Sequence, residues 1–394
     1  MSALAGVKSF GSSYAVGLVA ALLALPGACS AAVVTWMLAG GGSTSAVLYG
    51  TVIGLGAWVA AGLFLRRLSM PQHANSALYH ELANRHAKLK SVGATVESKS
   101  DRAAWAMYTT SLDSARKLLS SDDARDGFTW LRGTGYIAVF QEIHDAEQAL
   151  TELVHEEEVV LQALSERAAL EGSKVAEAKD ASHRLERALM VLGAGDYLPD
   201  APPAPNSTDK HMARAVVREV QATIDEFRDG RRASILRARN RLFSTMVFTG
   251  LVAYAGLVLA VLGGAEKTQI VAGATFYLIG ATVGLFRQLQ QAASADGVLE
   301  DDFGLGLVRL VHTPLVSGLA GVAGVILTAY LIELNDPNSV PKLADIFNVS
   351  ESPLGLVTAA VFGFTPSLVG SALQKSADEA KKQLKSSAPG EDSD

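Results

Sequence analysis

The chain has 394 residues, of which 49% are hydrophobic and 19% charged, and its formal net charge is −6 at pH 7. The net charge is modest and residues 66–241 are nearly neutral, so the charge balance gives no indication of a nucleic-acid partner. The single cysteine, Cys29, excludes an intrachain disulfide and a metal site built from several thiolates.

Charged residues are concentrated in the middle of the sequence. Residues 66–241 hold 25 of the 34 Lys and Arg and 26 of the 40 Asp and Glu, which leaves 9 basic and 14 acidic side chains elsewhere. Such segregation is typical of a polytopic membrane protein that carries one polar insertion. We therefore predict an all-α polytopic membrane protein with about six transmembrane helices and an inserted helical, coiled-coil-like cytosolic domain.

Residues 1–66 are predicted to form a transmembrane hairpin. Apolar runs at about Tyr14–Ala39 and Ala46–Leu65 are each close to the roughly 20 residues that a helix needs to cross a ~30 Å hydrocarbon core. A signal peptide that removes residues 1–32 is the alternative. Because apolar residues continue as far as Leu38, beyond a usual signal sequence, we favour an uncleaved helix.

Residues 242–373 are predicted to form a four-helix transmembrane region. Its apolar runs are Leu242–Leu262, Ile270–Leu285, Leu315–Ile332 and Leu354–Leu373. All six apolar runs of the chain lack Asp, Glu, Lys, Arg and His, which disfavours an ion-coupled transporter. Glycines spaced by four residues predict close helix packing, and they include Gly50 with Gly54 and Gly280 with Gly284.

Flanking charges predict the orientation of these helices. Basic residues follow the second and sixth runs and precede the third, whereas the opposite loops hold only Lys267 and Lys342. The positive-inside rule then places both termini and the central domain in the cytoplasm, in a plasma or bacterial inner membrane. An arginine cluster is interpreted as a membrane anchor that can also meet anionic lipid headgroups, and it consists of Arg228, Arg231, Arg232, Arg237, Arg239 and Arg241.

The central domain, residues 67–192, is predicted to be helical. Its clearest pattern has apolar residues at alternating three- and four-residue steps, the rhythm of a coiled-coil seam. The seam positions are Ile143, Ala146, Leu150, Leu153, Glu157, Val160 and Leu164. We favour an amphipathic helix packed inside its own bundle over an intermolecular coiled coil.

The segments around this domain differ in character. Residues 193–209 are rich in proline and glycine and are predicted to be a linker. Residues 210–241 are predicted to form a juxtamembrane amphipathic helix with Met212, Val220 and Phe227 on its apolar face. Residues 374–394 form a polar tail.

The candidate metal ligands are Glu152, His155 and His144. A Glu-x-x-His spacing places a carboxylate and an imidazole on one helix face, and His144 precedes His155 by about three turns at ~3.6 residues each. The alternative, which we favour, is a solvated polar face, because this face lies roughly opposite the apolar seam.

The sequence contains no motif that fixes a reaction, and we expect neither catalytic residues nor a cofactor. We predict a non-enzymatic integral membrane protein whose cytosolic helices bind a protein partner or form a homo-oligomer, in a scaffold or sensory role. The alternative is a channel or transporter with a regulatory cytosolic domain. Membrane lipid is the other expected partner, and nucleic acid is not.

Overall fold

The computed structural model confirms the predicted all-α class. Its described part contains 13 helices and no strand. Helical sequence dominates because strand-like alternation is lacking and apolar residues recur every three to four positions. The described residues are 25–40, 42–68, 71–96, 101–120, 127–170, 178–193, 210–294, 303–335, 347 and 353–368.

These residues belong to two compact units. The helical unit lies within Arg66–Ala238, and the apolar unit lies within Val16–Leu65 and Arg239–Asp394. The predicted linker, residues 193–209, lies outside the described residues except for Gly193, and the polar tail lies entirely outside them.

Seven helices lie within the helical unit, and an eighth, α10, begins there and continues into the apolar unit. Most of their polar side chains lie on the outer faces of the helices, and their apolar side chains pack between the helices. Their bounds are α3 (Pro71–Ala74), α4 (Ser76–Thr95), α5 (Arg102–Leu119), α6 (Gly127–Arg132), α7 (Thr134–Leu153), α8 (Glu156–Leu170), α9 (Ala178–Val191) and α10 (Lys210–Leu262).

Helix α7 is the centre of the helical unit. It packs against α5 and α4, and Tyr136, Phe140 and Ile143 are among its fully buried side chains. The hydroxyl of Tyr136 donates a hydrogen bond to the Pro71 carbonyl at 2.5 Å and accepts one from the Asn75 backbone N–H at 2.9 Å. These bonds satisfy buried polar groups at the start of α4, so α7 also fixes the entry of the chain into that helix.

The predicted seam is buried inside the helical unit and is divided between two helices. Ile143, Leu150 and Val160 are buried within the chain itself. Helix α7 ends at Leu153 and α8 begins at Glu156, so one continuous seam helix does not form. Glu157, a seam position in the first turn of α8, is exposed and contributes no apolar contact.

Five more elements belong to the apolar unit, together with the second half of α10. A mostly apolar sequence forms them, and they pack through apolar clusters. Their bounds are α1 (Leu25–Leu38), α2 (Ser43–Leu68), which continues into the helical unit, α11 (Lys267–Ser294), α12 (Leu305–Asn335) and α13 (Leu354–Phe364).

Three helices of the described residues are long and apolar enough to cross a membrane, rather than the predicted six. They are α10, α11 and α12. The second and sixth predicted runs form shorter apolar helices, and the first lies partly outside the described residues. The sixth run falls short because α13 ends at Phe364, two residues before Pro366, whereas the sequence pattern predicts an apolar run to Leu373.

Glycines bring α11, α12 and α13 into backbone contact. A Cβ atom built on Gly363 would lie 2.4 Å from the Gly280 Cα, and one on Gly280 would lie 2.6 Å from the Ser317 carbonyl oxygen. A Cβ atom on Gly321 would lie 3.1 Å from the carbonyl oxygens of Phe276 and Ala359. These three helices therefore pack at distances that only small residues permit.

Candidate functional site

A buried cluster of ionisable side chains lies between α7 and α10 in the helical unit. His144 and Glu147 are one turn apart on α7, and Asp225 and Asp229 are one turn apart on α10. The side chains of His144 and Asp225 are only 5% and 7% exposed. Buried ionisable groups are costly unless they are paired, so this cluster is the strongest candidate for a functional site in the described residues.

The histidine lies between the two aspartates. Its Nδ1 atom is 3.2 Å from Oδ2 of Asp229, and its Nε2 atom is 3.6 Å from Oδ1 of Asp225. The first distance fits a hydrogen bond, and the second is too long for one. Asp229 therefore orients the imidazole, while Nε2 remains directed at the second carboxylate.

Arginines surround this histidine–aspartate group. Arg85 on α4 donates two hydrogen bonds to Glu147, at 2.7 and 2.6 Å. Arg232 donates to Asp229 at 3.0 Å, and its guanidinium lies 3.7 Å from the centre of the Phe140 ring. Charge-assisted and cation–π contacts of this kind hold the carboxylates in fixed positions.

A half-open cavity of about 680 Å³ adjoins the cluster, with α4, α7, α8 and α10 as its walls. Glu147 and Asp225 line it, and so does Glu166 of α8. Its lining combines apolar side chains with both signs of charge, and the basic members are Arg85, Lys88 and Arg228. The cavity gives solutes access to the carboxylates of the otherwise buried cluster.

Burial and pairing act in opposite directions on the two aspartates. Burial raises the pKa of Asp225 above its ordinary value, and His144, Arg85 and Arg228 only partly offset this increase. Burial also acts to raise the pKa of Asp229, but hydrogen bonds from His144 and Arg232 outweigh it and lower the pKa. Asp229 is therefore the better-stabilised carboxylate, whereas the charge of Asp225 is only partly compensated, although Nη1 of Arg228 lies 3.8 Å from its Oδ1 atom.

Burial also raises the pKa of Glu166, to about 7. A carboxyl whose pKa is raised by folding contributes stability below its unfolded value of 4.5, and this contribution is lost as the pH rises through 7.

We predict that Glu166→Gln has about the stability of wild type at pH 4 and becomes more stable than wild type by up to roughly 3 kcal/mol at pH 8. Thermal unfolding at both pH values measures this difference. Glu158→Gln, an exposed position on the same helix, is the control, and an equal gain there would contradict the assignment.

The ligands predicted from the sequence do not come together. Helix α7 ends before His155, which is exposed, so Glu152 and His155 do not share one helix face. Glu152 instead accepts a hydrogen bond from Arg218 at 2.9 Å. The solvated-face interpretation is wrong for His144, because α10 covers this side of α7 and buries the imidazole.

The predicted arginine anchor is divided in the structure. Arg228, Arg231, Arg237 and Arg241 are exposed. Arg232 is instead held by Asp229, and the buried Arg239 donates to the Phe303 carbonyl at 2.9 Å. Arg232 and Arg239 do not match the predicted role of a membrane anchor, because neighbouring groups of the protein bind their guanidinium groups.

Asp225 and Asp229 were missed by the sequence interpretation. Their only local signal is an acidic pair spaced by four residues, which also occurs on solvated helix faces. Their partner His144 lies 81 residues before Asp225 in the sequence. No short stretch of sequence therefore contains both sides of the cluster.

Comparison with protein-family models, with curated proteins and with solved structures gives no match. The class of protein is therefore defined by the structure alone. It is an all-α chain with three candidate membrane-spanning helices and a buried histidine–carboxylate cluster in a separate helical unit.

Proposed function

We propose that this chain is a non-enzymatic integral membrane protein whose helical unit is an interaction or sensory domain. The observation that carries the proposal is α10, a single helix of 53 residues. Its first half bears the buried Asp225 and Asp229, and its second half, from Leu242 to Leu262, is apolar. One element thus contributes both to the charged site and to a candidate membrane span.

The exposed surface of the apolar half of α10 supports a membrane location. Phe248, Leu251 and Leu259 are large apolar side chains that remain exposed in the structure. Exposure of such side chains along a membrane-length helix is stable in lipid and costly in water. The proposed location is a membrane, and the positive-inside pattern of the loops motivates a plasma or bacterial inner membrane.

The proposed orientation places the helical unit and both termini in the cytoplasm, which requires one crossing besides α10, α11 and α12 in the C-terminal half of the chain. Its support is a group of exposed basic residues that precedes the apolar half of α10 and fits the cytoplasmic side of a membrane with anionic headgroups. The group consists of Arg228, Arg231, Arg237 and Arg241.

A reporter fused after Asp394 tests this orientation. Three crossings at α10, α11 and α12 alone would put the C-terminus opposite the helical unit. If residues 354–373 also cross, a C-terminal green fluorescent protein is fluorescent and a C-terminal alkaline phosphatase is inactive. We predict a fluorescent green fluorescent protein and an inactive phosphatase. An active phosphatase would contradict the proposed orientation.

Photo-cross-linking in native membranes tests the interaction role. A photoreactive amino acid replaces Met107, Leu161 or Met212 in the full chain, because these apolar side chains of the helical unit are exposed. We expect at least one position to give a covalent adduct with a second copy or with another protein. The exposed Gln141, on α7, is the control position.

The absence of an adduct at all three positions would overturn the interaction role. Ion flux through reconstituted liposomes would instead support the channel or transporter alternative. The close backbone contacts among α11, α12 and α13 are better suited to a tightly packed helix group than to a water-filled pore.

A further inference from the structure

We propose that the cluster between α7 and α10 is a binding site for a divalent transition-metal ion, with His144, Glu147 and Asp225 as its protein ligands. Each residue offers a ligand atom, and these atoms all lie within 4.8 Å of one another. Because metal–nitrogen and metal–oxygen bonds are about 2.0–2.2 Å long, two ligand atoms of one ion lie no more than about 4.4 Å apart. Small side-chain rotations therefore have to bring these atoms closer together when the ion binds.

Two buried atoms of the cluster that make no hydrogen bond are suited to binding a cation. Nε2 of His144 and Oδ2 of Asp225 are buried and accept or donate no hydrogen bond within the described part of the chain. Both belong to side chains that are more than nine-tenths buried. Leaving such atoms unpaired destabilises a fold, and an ion between them would satisfy both.

The contacts on the other side of the imidazole match those of a metal-binding histidine. Nδ1 of His144 lies 3.2 Å from Asp229, which in turn accepts a hydrogen bond from Arg232. A carboxylate that accepts the Nδ1 proton leaves the lone pair of a neutral imidazole on Nε2, the atom that faces Asp225. The histidine is therefore held in the tautomer that a metal requires.

The ligand set indicates the class of metal. One imidazole nitrogen with two carboxylates suits Mn²⁺, Fe²⁺, Co²⁺, Ni²⁺ and Zn²⁺ better than Ca²⁺, which prefers oxygen ligands alone. The cavity that Glu147 and Asp225 line provides the entry path and room for water ligands. Arg85 binds both oxygens of Glu147, so an ion must share one of them or displace Arg85 into the cavity.

Metal titration of the purified full chain tests the site. The protein is stripped with a chelator in detergent and then titrated with Zn²⁺ or Mn²⁺, and the bound metal and the melting temperature are measured. We expect about one ion per chain and a higher melting temperature with metal. Asp225→Asn should lower the affinity at least about 100-fold, and Asp229→Asn, which acts through His144, about 10- to 100-fold.

Two further variants keep the test decisive. His155→Ala, at an exposed histidine outside the cluster, should bind metal like the wild type. Glu147→Gln preserves the shape of a half-buried side chain and serves if Asp225→Asn does not fold, and it should also weaken binding. Circular dichroism establishes that each variant is folded.

Either of two results would overturn the metal site. One is a wild-type chain that binds neither ion and shows no shift in melting temperature. The other is binding that His155→Ala removes while folded Asp225→Asn or Glu147→Gln retains it. These measurements need no partner protein, so they are independent of the cross-linking test of the proposed function.

Discussion

Gly363→Ala is expected to destabilise the apolar unit by about 3 kcal/mol, the upper end of the usual cost of overpacking. The added methyl group would lie 2.4 Å from the Gly280 Cα and 2.7 Å from the Gly280 carbonyl oxygen. Real Cβ atoms do not approach other atoms so closely, and the obstructing atoms belong to the backbone of another helix. A side-chain rotation therefore cannot relieve the clash, and α13 has to move away from α11.

The measurement is thermal unfolding of the full chain in detergent, with membrane insertion examined in parallel. Gly256→Ala is the matched control, because Gly256 also lies in an apolar helix but a Cβ atom there meets nothing within 4 Å. We expect this control to be neutral or slightly more stable, since alanine favours a helix over glycine. Equal melting temperatures for the two variants would show that α13 does not pack on α11 as described.

The helical class and the polar insertion could be predicted from sequence because both depend on local patterns. Apolar residues that recur every three to four positions predict a helix, and the division of charge separates the mostly apolar helices from the polar ones. The face that a helix buries was less accurately predicted. In α10 the sequence predicts an apolar face with Met212, Val220 and Phe227, of which Val220 is buried and the other two are exposed. Val217, outside this predicted face, is also buried.

The number of membrane-length helices depends on where helices end. Run length alone predicts a sixth span to Leu373, although Pro366 lies within that run. The described α13 has 11 residues, which corresponds to about 16 Å at 1.5 Å per residue. A hydropathy pattern does not report such an end, because apolar residues continue on both sides of it.

The charged cluster was predictable only in part. His144 was singled out, but its partners were sought on its own helix, where His155 repeats the same residue type. The residues that face it, Asp225 and Asp229, come from a helix whose position is set by tertiary packing. Periodicity gives the face of a single helix, whereas the pairing of two distant helices depends on contacts that no sequence window contains.

Phe140→Ala is expected to destabilise the helical unit by about 3–5 kcal/mol, the usual cost of removing a fully buried phenylalanine. The Phe140 side chain is 1% exposed at the centre of α7, and it also lies under the guanidinium of Arg232. Its removal leaves a cavity in the core and takes away the ring that positions Arg232. Because Arg232 holds Asp229, the loss should extend from the apolar core to the charged cluster.

Two matched variants separate these contributions in thermal or denaturant unfolding. Phe227→Ala removes an equal side chain that is 36% exposed on α10, and we expect it to cost less than about 1 kcal/mol. Phe140→Leu fills most of the cavity but lacks the aromatic face, so its cost should lie between the two. If Phe140→Leu were as stable as wild type, the stacking of Arg232 would contribute little, and the cluster would be held by its ion pairs alone. If Phe227→Ala cost as much as Phe140→Ala, the described packing of α7 against its neighbours would be wrong.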